Sequence, residues 1–87
     1  MAQTITIYTT RVCPFCDRAK ALLKSLGLEY TEIGLESDPD LFRTLSAENN
    51  GWRTVPMIFV GKRFIGGFDD LSALHRKGEF LPLVQGP

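Results

Sequence analysis

Thr4-Ile5-Thr6-Ile7-Tyr8-Thr9-Thr10-Arg11-Val12-Cys13-Pro14-Phe15-Cys16 begins with polar and apolar residues in alternation from Thr4 to Tyr8, the period of a half-buried strand. Past Cys13 the period changes. Ala19, Leu22, Leu23 and Leu26 fall at helical spacing with Arg18, Lys20 and Lys24 on the other side, and Gly27 is placed to end the helix. Pro14 suits a first helical turn, where its missing N–H would have had no partner. Cys13 then stands at the helix N-terminus, facing unpaired backbone N–H groups and the positive end of the helix dipole. Both favour thiolate over thiol, and Arg11 two residues upstream adds to the effect. Only a thiolate attacks a disulfide, so Cys13 is the candidate nucleophile. Cys16, about one helical turn further on, is the candidate resolving thiol.

Other uses of the two cysteines fit less well. A structural zinc site takes four ligands, and the chain has two cysteines and one distant histidine, His75. A purely structural disulfide over two intervening residues closes almost no loop and adds little stability. The wider composition points the same way. Hydrophobic residues make up 44% of 87, which suits a globular chain, and 10 basic against 10 acidic residues leave no excess for a nucleic-acid or membrane surface. The N-terminus lacks the basic start and long apolar run of a secretory signal, and no stretch approaches a membrane span. The expected setting is cytoplasmic or an organelle matrix, where structural disulfides are rare and a paired cysteine motif reads as redox chemistry.

Outward from the motif, Glu29 to Ile33 reads as a second strand, making a βαβ unit whose strands are parallel. Ser37-Asp38-Pro39 starts a helix that buries Leu41, Phe42 and Leu45, with Gly51 past its end. Met57-Ile58-Phe59-Val60 is a continuous apolar run, as in a strand covered on both faces. Gly61-Lys62 separates it from Arg63-Phe64-Ile65 as a two-residue hairpin loop. The last helix is expected to start at Asp69, bury Leu71 and Leu74, and stop at Gly78. The order is βαβαββα over a single domain, residues 1–87. It predicts an α/β, thioredoxin-like fold, a four-stranded mixed sheet flanked by three helices.

With these residues in view, the chain resembles the dithiol glutaredoxins, especially the small bacterial type, from Ile5 to about Leu83. Three separated elements carry the resemblance: Ile7-Tyr8-Thr9 leading into Cys13-Pro14-Phe15-Cys16, Arg53-Thr54-Val55-Pro56 followed by Phe59, and Gly66-Gly67-Phe68-Asp69-Asp70-Leu71. The resemblance implies a glutathione-dependent thiol–disulfide oxidoreductase serving electron transport and cell redox homeostasis. Pro56 matches a proline that is cis in this fold and faces the cysteines, leaving Val55 to pair its N–H and C=O with glutathione as with a β-strand. Gly66-Gly67 lets backbone approach the ligand closely. By the same resemblance the backbone N–H groups at Asp69 and Asp70, where the last helix is expected to begin, receive the γ-glutamyl carboxylate, while an aspartate meets the nearby ammonium. Asp69 is read as both helix cap and ligand contact, and Asp70 as assisting.

The chain also departs from the family pattern. Lys commonly stands three residues before the first Cys, and here that position is Thr10; Arg11, next in line, is the substitute cation. A Gln often precedes the Arg-Thr-Val-Pro element, and here it is Trp52, read as a partly buried loop aromatic or as an apolar platform for a protein substrate. Arg53 remains as a partner for the glycyl carboxylate. Phe15 replaces the usual Tyr and covers the sulfur from one side. The expected glutathione contacts are therefore Arg11, Phe15, Arg53, Thr54, Val55, Pro56, Gly67, Phe68, Asp69 and Asp70, with no metal and no permanently bound cofactor. Glutathione is the implied reducing cosubstrate. The implied clients are disulfide-containing or glutathionylated proteins, ribonucleotide reductase among them, handled by a monomer without nucleic-acid or membrane partners. Two alternatives rank lower. Carriers fed by thioredoxin reductase have other residues between the cysteines, and iron–sulfur carriers have Gly-Phe-Ser after the first Cys, where this chain has Pro14 and Cys16.

Overall fold

The computed structural model describes residues 3–86. Its elements run β1 (Ile5–Thr9), α1 (Pro14–Ser25), β2 (Thr31–Gly34), α2 (Pro39–Glu48), β3 (Met57–Val60), β4 (Arg63–Gly66), α3 (Phe68–Arg76) and α4 (Phe80–Gln85). The strands form one sheet in the order β2-β1-β3-β4. The β1–β2 pair is parallel, as a βαβ crossover requires. The β1–β3 and β3–β4 pairs are antiparallel. This is the thioredoxin-like arrangement read from the sequence, with one helix more than the three expected.

Alternation along the strands divides the core between the two faces of the sheet. Ile5, Ile7, Ile58 and Val60 pack with Ala19 and Leu23 of α1, Leu71 of α3, and Phe80 and Val84 of α4. On the other face Met57 meets Leu45 of α2 and Leu35, with Tyr8, Phe59, Phe64 and Trp52 packed around them. Each fully buried aliphatic or aromatic side chain contributes roughly 1.5–3 kcal/mol. Both layers are therefore needed to outweigh the chain entropy of so small a fold.

Several boundaries differ from the sequence reading. The second strand starts at Thr31, two residues late, and lies largely exposed at the sheet edge. There, few buried side chains mark its limits. Helix α2 is capped by the Asp38 carboxylate, which accepts the Leu41 N–H at 3.0 Å. It gives way to Asn50 and Gly51, both at positive φ. Helix α3 starts at Phe68 with Gly67 as N-cap, one residue before the expected Asp69, and its Leu74 is only partly buried. It ends on Gly78, whose φ of 72° allows the Gly78 and Glu79 N–H groups to turn back onto His75 and Leu74. That turn points the chain into α4, which the sequence reading left out.

Register decides where the site forms. Tyr8 pairs with Met57, so the loop after β1 emerges beside the segment that enters β3. Ile58 pairs with Gly66, which sets the start of α3 at the same end. Three separated segments, 10–13, 54–56 and 67–70, thus meet at one end of the sheet.

Candidate active site

Cys13 is the N-cap of α1, with φ −149° and ψ 93°. Its Sγ accepts the backbone N–H of Cys16 at 3.0 Å. A capping oxygen normally takes this place; here sulfur does, and an anion would be held there by both the N–H and the dipole. Pro14 occupies the first turn as expected. A disulfide joins Cys13 to Cys16, whose Cα atoms are 5.1 Å apart. Cys13 keeps 8% of its surface exposed and Cys16 only 1%, so an incoming group reaches Cys13 first.

The Val55–Pro56 peptide bond is cis. Val55 O lies 3.8 Å from Cys13 Sγ, which brings the second segment directly onto the Cys13 sulfur. Between these segments and α3 runs a groove of about 320 Å³ lined by Phe15, Trp52, Thr54, Val55, Pro56, Gly67, Phe68, Asp69 and Asp70. Phe15, half exposed, faces Phe68 at 6.4 Å between ring centroids. The Arg18 guanidinium sits 5.2 Å from the Phe15 centroid, on the outer side of the motif.

Of the residues expected at a ligand site, all but Arg11 and Arg53 line this groove. Arg11 is well exposed and its Nε lies 3.9 Å from Glu36, across a separate polar cleft. Arg53 borders a shallow apolar groove along α2. Asp70, not Asp69, turns back to accept the Gly67 N–H at 2.9 Å, and no side chain caps the N–H groups of the first turn of α3. Gly66 is the constrained glycine of the pair, at φ 118° with the Asp70 carboxylate where a Cβ would go. Gly67 has an ordinary backbone, but a Cβ there would project to 3.5 Å from Trp52, into the groove.

Trp52 is a wall of this groove, which its sequence context alone did not reveal. Its Nε1–H donates to Thr54 O at 3.1 Å, and its ring meets Phe64 edge-on at 5.2 Å.

Comparison with known proteins accounts for the arrangement. The glutaredoxin family model matches residues 5–65. A glutaredoxin of Pseudomonas aeruginosa is 45% identical over 80 residues, covering 92% of this chain and 94% of its own length. The chain belongs to the glutaredoxin family. A probable glutaredoxin of Synechocystis is 44% identical over 80 residues, with 92% and 91% covered. Among solved structures, glutaredoxin from Brucella melitensis has a TM-score of 0.86 at 40% identity, covering 97% of this chain and 90% of that one. A buckwheat glutaredoxin–glutathione complex has a TM-score of 0.87 at 35% identity, covering 94% and 76%. Glutaredoxins are thiol–disulfide oxidoreductases, and this glutaredoxin carries the redox-active cysteine pair as a disulfide. No helix among its described residues is long and apolar enough to cross a membrane.

Beside the groove, on the other side of the cysteine loop, the glutaredoxin holds a polar cluster with no counterpart in the sequence reading. The Glu32 carboxylate accepts the Thr9 hydroxyl at 2.7 Å and the Lys20 ammonium at 3.0 Å. Thr9 is 3% exposed. The Thr9 hydroxyl, and after it the Lys20 ammonium, hold the Glu32 carboxyl below the usual carboxylate range. The hydrogen bond to Glu32 raises Lys20 above the usual range for its ammonium.

Proposed function

We propose that this glutaredoxin reduces glutathione mixed disulfides and protein disulfides through a Cys13 thiolate, with glutathione as reducing cosubstrate and Cys16 as resolving thiol. The observation that carries this reading is the cap. Cys13 Sγ takes the N-cap position against the Cys16 N–H, and Cys13 is the more exposed residue of the pair. Stabilising negative charge there makes a nucleophile at neutral pH.

With a glutathionylated protein, the Cys13 thiolate attacks the glutathione sulfur. The mixed disulfide breaks, the protein thiolate leaves and takes a proton, and glutathione remains on Cys13. A second glutathione thiolate attacks that glutathione sulfur, forming glutathione disulfide and returning Cys13 as thiolate. With a protein disulfide, Cys13 attacks one sulfur and the other leaves as a thiol. Cys16 then attacks Cys13 Sγ, releasing the second client thiol and forming the Cys13–Cys16 disulfide. Two glutathione molecules reduce it.

Glutathione fits the groove in an extended form. Val55 would offer its N–H and C=O to the cysteinyl backbone, with Thr54 and Pro56 framing it. Uncapped N–H groups at Phe68 and Asp69 suit the γ-glutamyl carboxylate, and Gly67 leaves room for it. The exposed Asp69 carboxylate is the one free for the ammonium, since Asp70 is engaged with Gly67. Phe15 and Phe68 supply apolar walls. Arg53 and Arg11 border neighbouring clefts, and either would have to swing toward the groove to meet the glycyl carboxylate. The natural setting of this chemistry is a monomer in the cytoplasm acting on disulfide-bonded or glutathionylated proteins, ribonucleotide reductase among them.

Cys16→Ser separates the two routes. It is expected to keep most of the wild-type rate with a glutathione mixed disulfide and to lose catalytic reduction of a protein disulfide. Stopped assays on both substrates check this, and equal loss of both would contradict the division of roles.

A further inference from the structure

The Thr9–Glu32–Lys20 cluster is not used in the chemistry above, yet it abuts the loop that delivers Cys13. Thr9 stands four residues before Cys13, at the end of β1. Thr9, Thr10, Arg11, Lys20 and Glu32 line one cleft beside the cysteine loop. Cys13, Cys16 and Lys20 are spaced by three and four residues, so they lie along one stripe of α1. The rise from Cys13 to Lys20 is about 10 Å, and helical side chains lean toward the N-terminus. The Lys20 stem therefore carries its ammonium back toward the cysteines, and three-quarters of the side chain is buried.

An unneutralised cation at that place would add to the helix dipole and favour the thiolate further. Glu32 stands against it at 3.0 Å, and the same Oε2 also accepts the buried Thr9 hydroxyl. Other charges face the pair less closely. Asp17 Oδ1 is 3.8 Å from the Lys20 ammonium but three-quarters exposed. Lys24 and Tyr30 lie nearby, and Arg11 faces Glu36 across the cleft.

We propose that Glu32 and Lys20 are an opposed pair of positioning residues that set the acidity of the Cys13 thiol, Lys20 favouring the thiolate and Glu32 offsetting it. The inference rests on the reading of Cys13 as the attacking thiolate. A net charge about 10 Å from a thiol, partly screened, shifts its titration by about 0.3 to 1 pH unit. Glu32→Gln keeps an oxygen for the Thr9 hydroxyl and leaves Lys20 uncompensated. Lys20→Met keeps most of the stem and leaves Glu32 uncompensated.

The test is the pH dependence of iodoacetamide alkylation at Cys13, followed by mass spectrometry on the reduced full chain. Glu32→Gln is expected to lower the titration midpoint, Lys20→Met to raise it, and the double variant to return close to wild type. A purely structural cluster would move both single variants the same way or neither, and either result overturns the proposal. Should Glu32→Gln fail to fold, Lys20→Met decides by its sign alone. A wild-type Cys13 that titrates like an ordinary thiol would overturn the thiolate reading instead. Opposite responses of the two variants would then still support the pair.

Discussion

Cys13→Ser is expected to abolish turnover with both a glutathione mixed disulfide and a protein disulfide, by on the order of a thousandfold or more. The reason is chemical and local. A serine hydroxyl at the same cap position stays protonated at neutral pH, and oxygen cannot form the mixed disulfide on which both routes depend. The substitution separates chemistry from structure unusually well. Serine is among the best N-cap residues, so its hydroxyl would take over the Cys16 N–H that Cys13 Sγ now accepts. The reduced variant should therefore unfold close to reduced wild type at a pH where Cys13 is protonated, and somewhat below it at neutral pH, where it lacks the folded-state stabilisation of the thiolate. Activity assays and calorimetry on the same sample check both halves. Retention of either activity would mean that Cys16 or another group attacks.

The second large effect lies far from the cysteines. Phe80→Ala is expected to cost roughly 3–5 kcal/mol, a large share of the 5–15 kcal/mol typical of a folded domain. Phe80 is fully buried at the start of α4, packed into the layer beneath α1 and α3. The same helix ties back to the segment that leads into β1, where the Gln3 N–H donates to Val84 O at 2.6 Å. A drop in Tm on the order of 15 °C or more follows from the usual entropy of unfolding at this size. Urea titration of Phe80→Ala beside the exposed substitution Gln85→Ala measures it. A loss under about 1 kcal/mol would mean that α4 is an accessory to the core.

That helix also marks a limit of reading the sequence. Leu81-Pro82-Leu83 has no helical period to find in six residues, and Pro82 looks like a breaker. In the structure Pro82 sits in the first turn, where its missing N–H leaves no bond unmade. The active-site cysteines, by contrast, were legible because their chemistry is written locally. A strand, a loop and a helix start over thirteen residues fix which cysteine caps the helix. The groove was legible through its backbone segments, since Thr54-Val55-Pro56 and Gly67-Phe68 are set by sheet register. Side-chain direction was not. Asp69 and Asp70 are neighbours in the sequence, and only the structure shows that Asp70 is the one that accepts the Gly67 N–H. Arg11 and Arg53 flank the right segments yet point to other surfaces. The Thr9–Glu32–Lys20 cluster joins three elements, and nothing in the spacing of positions 9, 20 and 32 announces that they meet.

Turnover of a glutathione mixed disulfide, followed by NADPH loss with glutathione and glutathione reductase, measures glutathione dependence most directly. A parallel reaction would replace these with thioredoxin reductase and omit glutathione. Robust turnover in the glutathione system alone is the expected result, and it would show that Thr10 and Trp52 are compatible with glutathione use. Turnover with thioredoxin reductase alone would leave the Cys13 chemistry standing and contradict the assignment of glutathione as cosubstrate.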